Sequence, residues 1–330
     1  MFKRIHRSVA WTWKWAARKG VEKLHWQHLM IRCAAPECSG HETPRLAFVS
    51  RHSGVQFRNR WYHQVACLQP ELTNQIEQSL LSYAFDRGRP HRLPLGLLLI
   101  NRGAITAGQL REALRRQREE GHGKLGHWLR QSVKLDEAQL TAALGQQWGC
   151  PVFPLDRQAN PPLWLDGPPL SLLVASRAVP VHATVEGRQM HIAFADRVDH
   201  TLLYALEEIL GFRTHACVSG ESSVNRVLEE LGRRANGSEI CFDSVRDPSE
   251  IAAAICSYAR QLNGSCLKVA RAGAYLWAAV FAKETRRDIL FRMPNGPTET
   301  RGEETIERIK AFVTAADIRK DGVLDASLPQ

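Results

Sequence analysis

The 330-residue chain lacks any apolar run of the roughly 18 residues that a membrane-spanning helix needs. Its start, MFKRIHRSVAWTWKWAARKG, is broken by Lys and Arg throughout, so it lacks the uninterrupted apolar stretch of a secretory signal. Catalytic signatures are missing as well. There is no G-x-x-x-x-G-K-[ST]: the one Gly-Lys pair, Gly123-Lys124, runs into Leu125 and has no Gly at the required upstream position, which excludes a phosphate-loop ATPase. Neither G-x-S-x-G nor H-E-x-x-H occurs, and no paired carboxylates sit in an apolar setting. The expectation is a chain without enzymatic activity. Acidic residues are scarce at one end. Residues 1–62 hold twelve Lys or Arg against Glu22, Glu37 and Glu42, so much of the net charge of +10 is concentrated there. That points to an acidic partner for the amino-terminal part.

What remains is the composition of a globular chain, 44% hydrophobic and 24% charged. The length implies more than one domain. The eight cysteines do not read as a disulfide framework. Cys150, Cys217, Cys241, Cys256 and Cys266 stand among apolar residues as buried thiols do, which suits a reducing cytoplasm.

The pattern along the chain suggests an α+β protein of several domains. Residues 1–88 read as a basic helix, with Phe2, Ile5, Val9 and Trp13 at helical spacing, then a finger-like segment and a second helix over 70–87. Two β-like runs, RLAFVS and GVQFRNRWY, sit in that segment. Residues 89–150 carry a helical repeat. Residues 151–235 read as a proline-rich connector to 169 and then a small α/β layer of three strand-like runs and two helices. After the RRANGSE break, residues 236–330 read as a further α/β domain: a helix from Pro248, the strands CLKVARA, YLWAAVFA and RDILFRM, and a helix over about 303–315. Trp277 in YLWAAVFA is expected in the core.

The repeat is the most specific feature. PLGLLLINRGAITAGQLREALRRQ returns as KLGHWLRQSVKLDEAQLTAALGQQ thirty residues on. Leu95-Gly96 falls over Leu125-Gly126, Leu99 over Leu129, Leu110 over Leu140, Leu114 over Leu144, and Gln117 over Gln147. Each copy reads as a short apolar helix, a turn and a longer helix, with Thr106 and Asp136 at the N-cap positions. Neither copy could bury its apolar side alone, whereas two packed together could. One break stands out: Gly103 lies over Val133.

These two copies, with the GCPVFPLD that follows and the later IAFADRVD, resemble the amino-terminal domain of type II secretion and type IV pilus assembly ATPases. This is the MshEN type, some of whose members bind cyclic di-GMP. The resemblance covers about residues 90 to 233 and stops short of any motor domain. It implies a cytoplasmic regulatory or adaptor protein, placed at the periphery of the inner membrane, with a partner in secretion or pilus machinery and cyclic di-GMP as ligand. Ligand-binding residues implied in the first copy are Leu95, Gly96, Leu99, Leu110, Leu114 and Gln117. In the second copy they are Lys124, Leu125, Gly126, Leu129, Leu140, Leu144 and Gln147. The chemistry agrees: glycines let backbone N–H groups approach phosphate, paired leucines pack on a purine, and glutamine can donate to and accept from a guanine edge. The chain departs from the pattern in three places. Pro94 stands where the first copy should carry Arg, with Arg92 nearby but out of register. Lys124 replaces the second Arg and cannot stack or fork as arginine does. Val133 replaces the second glycine. An alternative is a protein–protein module without nucleotide, the repeat surviving only as a packing unit.

Cys33 and Cys38 in CAAPEC occupy a Pro-containing turn, and His63 and Cys67 in WYHQVAC are spaced i, i+4. A turn, a β-like stretch and a helix start is the layout of a treble-clef-like finger, and Cys₃His suits structural zinc. His41 and His52 are substitutes for His63. The basic, Trp-rich start permits a membrane surface or nucleic-acid phosphates as partner, though a helix packing its Trp residues on the finger is favoured. Asp196 and Asp199 are expected to cap the helix after them, and His182, His191 and His215 to be structural.

Overall fold

The computed structural model describes residues 30–38, 45–46, 54–85, 92–157, 167–184, 186–234, 239–243, 245, 247–283 and 285–293. Of the helix expected over 1–30, residues 1–29 lie outside the described residues and Met30 is in a strand; the helix expected over 303–315, His41 and His52 also lie outside them. In chain order the elements begin with β1 (Met30–Ile31), β2 (Arg45–Leu46), β3 (Val55–Phe57), β4 (Arg60–Tyr62) and α1 (Val65–Phe85). The repeat supplies α2 (Leu95–Asn101), α3 (Ala107–Glu120), α4 (Leu125–Val133) and α5 (Glu137–Trp148). A 3₁₀ turn at Leu155–Arg157 leads to α6 (Leu170–Ser176), β5 (Ala178–Thr184), β6 (Gln189–Phe194), α7 (His200–Leu210), β7 (Arg213–Val218) and α8 (Glu221–Arg234). The last described elements are β8 (Glu239–Phe242), α9 (Pro248–Gln261), β9 (Cys266–Ala272), β10 (Tyr275–Phe281) and β11 (Arg286–Arg292). No helix among the described residues is long and apolar enough to cross a membrane.

The chain divides into two compact units. The first draws on 1–87, 239–271 and 275–294, the second chiefly on 88–238. The divisions fall at 87/88 and 238/239, and the two outer segments are not independent of each other. They share a six-stranded sheet in the order β4-β3-β9-β10-β11-β8. The run GVQFRNRWY is a hairpin rather than one strand: Arg58 and Asn59 both take positive φ, the conformation a two-residue turn needs to match strand twist. β3 then pairs in parallel with β9, Gln56 opposite Cys266 and Phe57 opposite Leu267. One core mixes the two flanks: Val55, Phe57, Tyr62, Leu68, Leu72 and Ile76 pack with Ile251, Ile255, Leu267, Leu276, Ile289 and Phe291. Trp277 is fully buried, as expected.

The second unit holds the repeat and the α/β layer. α3 packs on α4 and α2 on α5, so the long helix of each copy meets the short helix of the other. The shared core joins Leu99, Ile105 and Ala113 to Trp128, Leu129, Leu140, Ala143 and Leu144. Thr106 forms a full capping box with Gln109: its hydroxyl accepts from the Gln109 N–H, and the Gln109 side chain accepts from the Thr106 N–H. Asp136 holds the equivalent position but makes no side-chain cap bond. Thr106→Ala should therefore lower the unit's stability by about 1 kcal/mol. Asp136→Ala should change it by only a few tenths of that. Paired thermal melts test the difference.

The break at Gly103 has a conformational cause. In the first copy the helix ends at Asn101, and Gly103 takes the left-handed conformation at φ 67°. In the second copy Val133 stays helical, and Lys134 takes the left-handed position at φ 53°. The turn has slipped by one residue, which removes the need for glycine at 133.

In the α/β layer β5 and β6 run antiparallel, β6 and β7 parallel. Asp199 caps α7, accepting from the N–H groups of Thr201 and Leu202. Asp196 does not share that work, contrary to expectation; its partners are described below. α6 and β8 had no counterpart in the sequence pattern.

Candidate functional site

Leu99 and Leu129 are fully buried, and Leu140 and Leu144 nearly so; they make the core of the repeat. Leu95, Leu110 and Leu125 pack against it from partly buried positions, and Leu114 is half-buried. Gly96 and Gly126 serve this packing directly. A Cβ on Gly96 would stand 2.6 Å from a methyl of Leu110, and one on Gly126 would stand 3.1 Å from a methyl of Leu140. The Gly-Leu pair of each copy is thus a close contact between its short and long helices.

The glutamines clasp the copies together. Gln117 of the first copy donates to the carbonyl of Gly123, ahead of Leu125-Gly126, at 2.8 Å. Gln147 of the second donates to the carbonyl of Leu93, ahead of Leu95-Gly96, also at 2.8 Å. Leu93 and Gly123 are the same position in the two copies, so the exchange has the symmetry of a pseudo-two-fold.

The cations beside the two Leu-Gly pairs differ. The Arg92 guanidinium carbon lies over the Trp148 ring, 3.3 Å from its centroid, where burial and the neighbouring Arg197 hold its pKa below the usual value. Lys124 instead makes an ion pair of 2.9 Å with Asp196. Asp196 also accepts from Arg177, which reaches Glu221; Arg130 reaches Glu221 and Glu137. The network ties the second copy to the α/β layer. Sequence reasoning missed this role of Asp196, because partners at positions 124 and 177 leave no local spacing signal. Arg92 on Trp148 was missed for the same reason.

Burial would raise the Asp196 carboxyl, but Lys124 and Arg177 beside it reverse the sign and hold it below its ordinary 3.8. A depressed pKa contributes stability above 3.8 that is lost as pH falls through the native value. The wild type should therefore lose stability more steeply below pH 3.8 than Asp196→Asn, and at neutral pH the variant should already lack that share. Melting temperature followed against pH, for both proteins, reads this out.

In the first unit Cys33, Cys38, His63 and Cys67 come together, with their ligand atoms all within 4.8 Å of one another. Cys33 is buried in a loop after β1, Cys38 ends a tight turn, His63 directly follows the hairpin, and Cys67 lies in the first turn of α1. His63 Nδ1 sits 3.2 Å from the Cys38 sulfur and 3.5 Å from that of Cys67. A tetrahedral site with Zn–S bonds of about 2.3 Å spaces its sulfurs about 3.8 Å apart, so little closure is needed. Burial, with the hydrogen bond to Cys38, pushes the Cys67 thiol up to about 11. A dication among these groups would favour the thiolates instead.

His182, His191 and His215 stand side by side across β5, β6 and β7, ring centroids 5.8 and 5.1 Å apart. The middle ring keeps Nδ1 buried without a hydrogen-bond partner.

No protein-family model and no curated protein sequence matches the chain. Among solved structures it is similar to MshE with cdg, at 28% identity over 42% of this chain and 99% of that one, with a TM-score of 0.34. It is also similar to the N-terminal domain of XpsE in two crystal forms. Identities there are 23% and 21%, over 40% and 41% of this chain and 89% and 91% of the others, with TM-scores of 0.26 and 0.32. The chain resembles the MshEN-type domain.

Proposed function

We propose that the protein is a non-catalytic regulatory or adaptor module whose repeat takes cyclic di-GMP, the cdg of the MshE structure, and whose amino-terminal tetrad holds a structural zinc ion. It acts in the cytoplasm, at the periphery of the inner membrane, on a protein of the secretion or pilus machinery. The reciprocal clasp of Gln117 and Gln147 carries the nucleotide reading: two motif copies related by a pseudo-two-fold suit a two-fold ligand. Arg92, over the Trp148 ring, and Lys124, directly before Leu125-Gly126, are the cations that would serve its phosphates or bases.

Binding is expected to be weak, no tighter than about micromolar, near −8 kcal/mol. Lys124 must leave Asp196 to serve, and Pro94 offers no fork. In a calorimetric titration Lys124→Ala should reduce affinity more than any change at Pro94, while Pro94→Arg should raise it by restoring a planar donor. No heat and no melting shift at millimolar ligand, in both wild type and Pro94→Arg, would remove the nucleotide. The second reading, a protein-docking module alone, would then stand. It is favoured by the exposed Leu93 and Leu97 beside the clasp. A nucleic-acid partner for the basic start would instead show a steep loss of affinity with salt.

A further inference from the structure

We propose that the metal of the Cys33–Cys38–His63–Cys67 tetrad is the fastener of a sheet split by an insertion. When loaded, it holds the β3–β4 hairpin and the first turn of α1 onto β9; without it, that edge lets go while the second unit stays folded. The proposal rests on the zinc reading above and adds the part of the fold that depends on the ion.

The edge is weak by itself. β3 and β4 have three residues each, and a lone two-stranded hairpin is marginal in water. β3 meets β9 through only two residue pairs, Gln56 with Cys266 and Phe57 with Leu267, helped by Gln56 N–H donating to the Ser265 carbonyl at 2.9 Å. The four ligands come from the three pieces that must stay together: the 33–38 turn, the residue after β4, and the start of α1. The tetrad is also continuous with the core. Cys33 is 1% exposed among residues of both flanks, and Cys38, Cys67, Trp61 and Val65 pack on that cluster. The Ala34 N–H donates to the Trp61 carbonyl, and the Cys256 thiol of α9 reaches the carbonyl of Val65 at 3.8 Å. An ion tying these ligands removes their separate motions at once, and its binding free energy becomes folding free energy of the edge.

Hydrogen exchange on the full chain tests this, before and after chelation under reducing conditions and after zinc is returned. Chelation should abolish protection at residues 55–62, at 65–68 and at 266–268 of β9, and zinc should restore it. The amides of β6 in the second unit should not change. His63→Cys, which keeps four ligands, should retain both metal and protection; Cys38→Ser should lose both; Cys150→Ser should lose neither. Protection at 56 and 266–267 that is indifferent to a metal shown to be present would overturn the fastener. Protein prepared without chelator that holds no zinc, and that gives no thiolate-to-cobalt absorption when titrated with cobalt(II), would overturn the zinc reading itself.

Discussion

Leu99→Ala and Leu129→Ala should each destabilise the repeat unit by about 2–5 kcal/mol. Both side chains are fully buried, and each occupies the same position in its own copy. Truncation removes the buried isopropyl group and leaves a void between packed helices, so the cost combines lost transfer energy with lost contact. Near-equal costs are expected, because the long helix of each copy covers the short helix of the other. The double variant should depart from additivity, since both leucines belong to one core. Denaturant melts of the two single variants and the double variant check this. A large cost for one leucine and a small cost for the other would mean that the copies do not form a reciprocal pair.

Asp288→Ala should cost the first unit about 3–5 kcal/mol. The carboxylate accepts from Trp277 Nε1 at 2.9 Å and forms an ion pair of 2.9 Å with Arg286. Asp288 and Arg286 have side chains only 7% and 9% exposed, and Trp277 is fully buried. Alanine would take the carboxylate from a guanidinium held out of water and strip the indole N–H of its acceptor. Asp288→Asn keeps an acceptor and should cost less. Circular dichroism melts of the two variants decide it, and equal costs would show that shape rather than charge holds the site.

Much of this architecture could be read locally. Strands β9, β10 and β11 announced themselves by apolar and β-branched runs, and α9 by Pro248, which stands at its first helical position. The tetrad was legible from C-x₄-C and the i, i+4 pair of His63 and Cys67. The hairpin was misread as one strand because its turn is Arg58-Asn59 rather than Asn-Gly. β8 was missed because its four residues begin on the last residue of the RRANGSE break, and α6 because Pro168-Pro169 read as connector although the helix starts at Leu170. The union of the two flanks left no trace in any window, since β3 and β9 are paired across the whole of the intervening unit. Asp196 shows the same limit on a smaller scale: beside Asp199 it looked like a second cap, and only the fold brings Lys124 and Arg177 to it.

The split sheet also sets a timetable for synthesis. As the chain leaves the ribosome, all four tetrad ligands emerge by residue 67, long before the residues of α9 and β9 exist. The second unit has its own core and can fold in the interval, domains generally folding as units as they are made. Throughout that time Val55, Phe57, Leu68 and Leu72 have no partner from the far flank. An ion captured early would keep the hairpin and helix start in register while they wait. Metal supply during translation, rather than after it, would then decide how much of the first unit closes correctly.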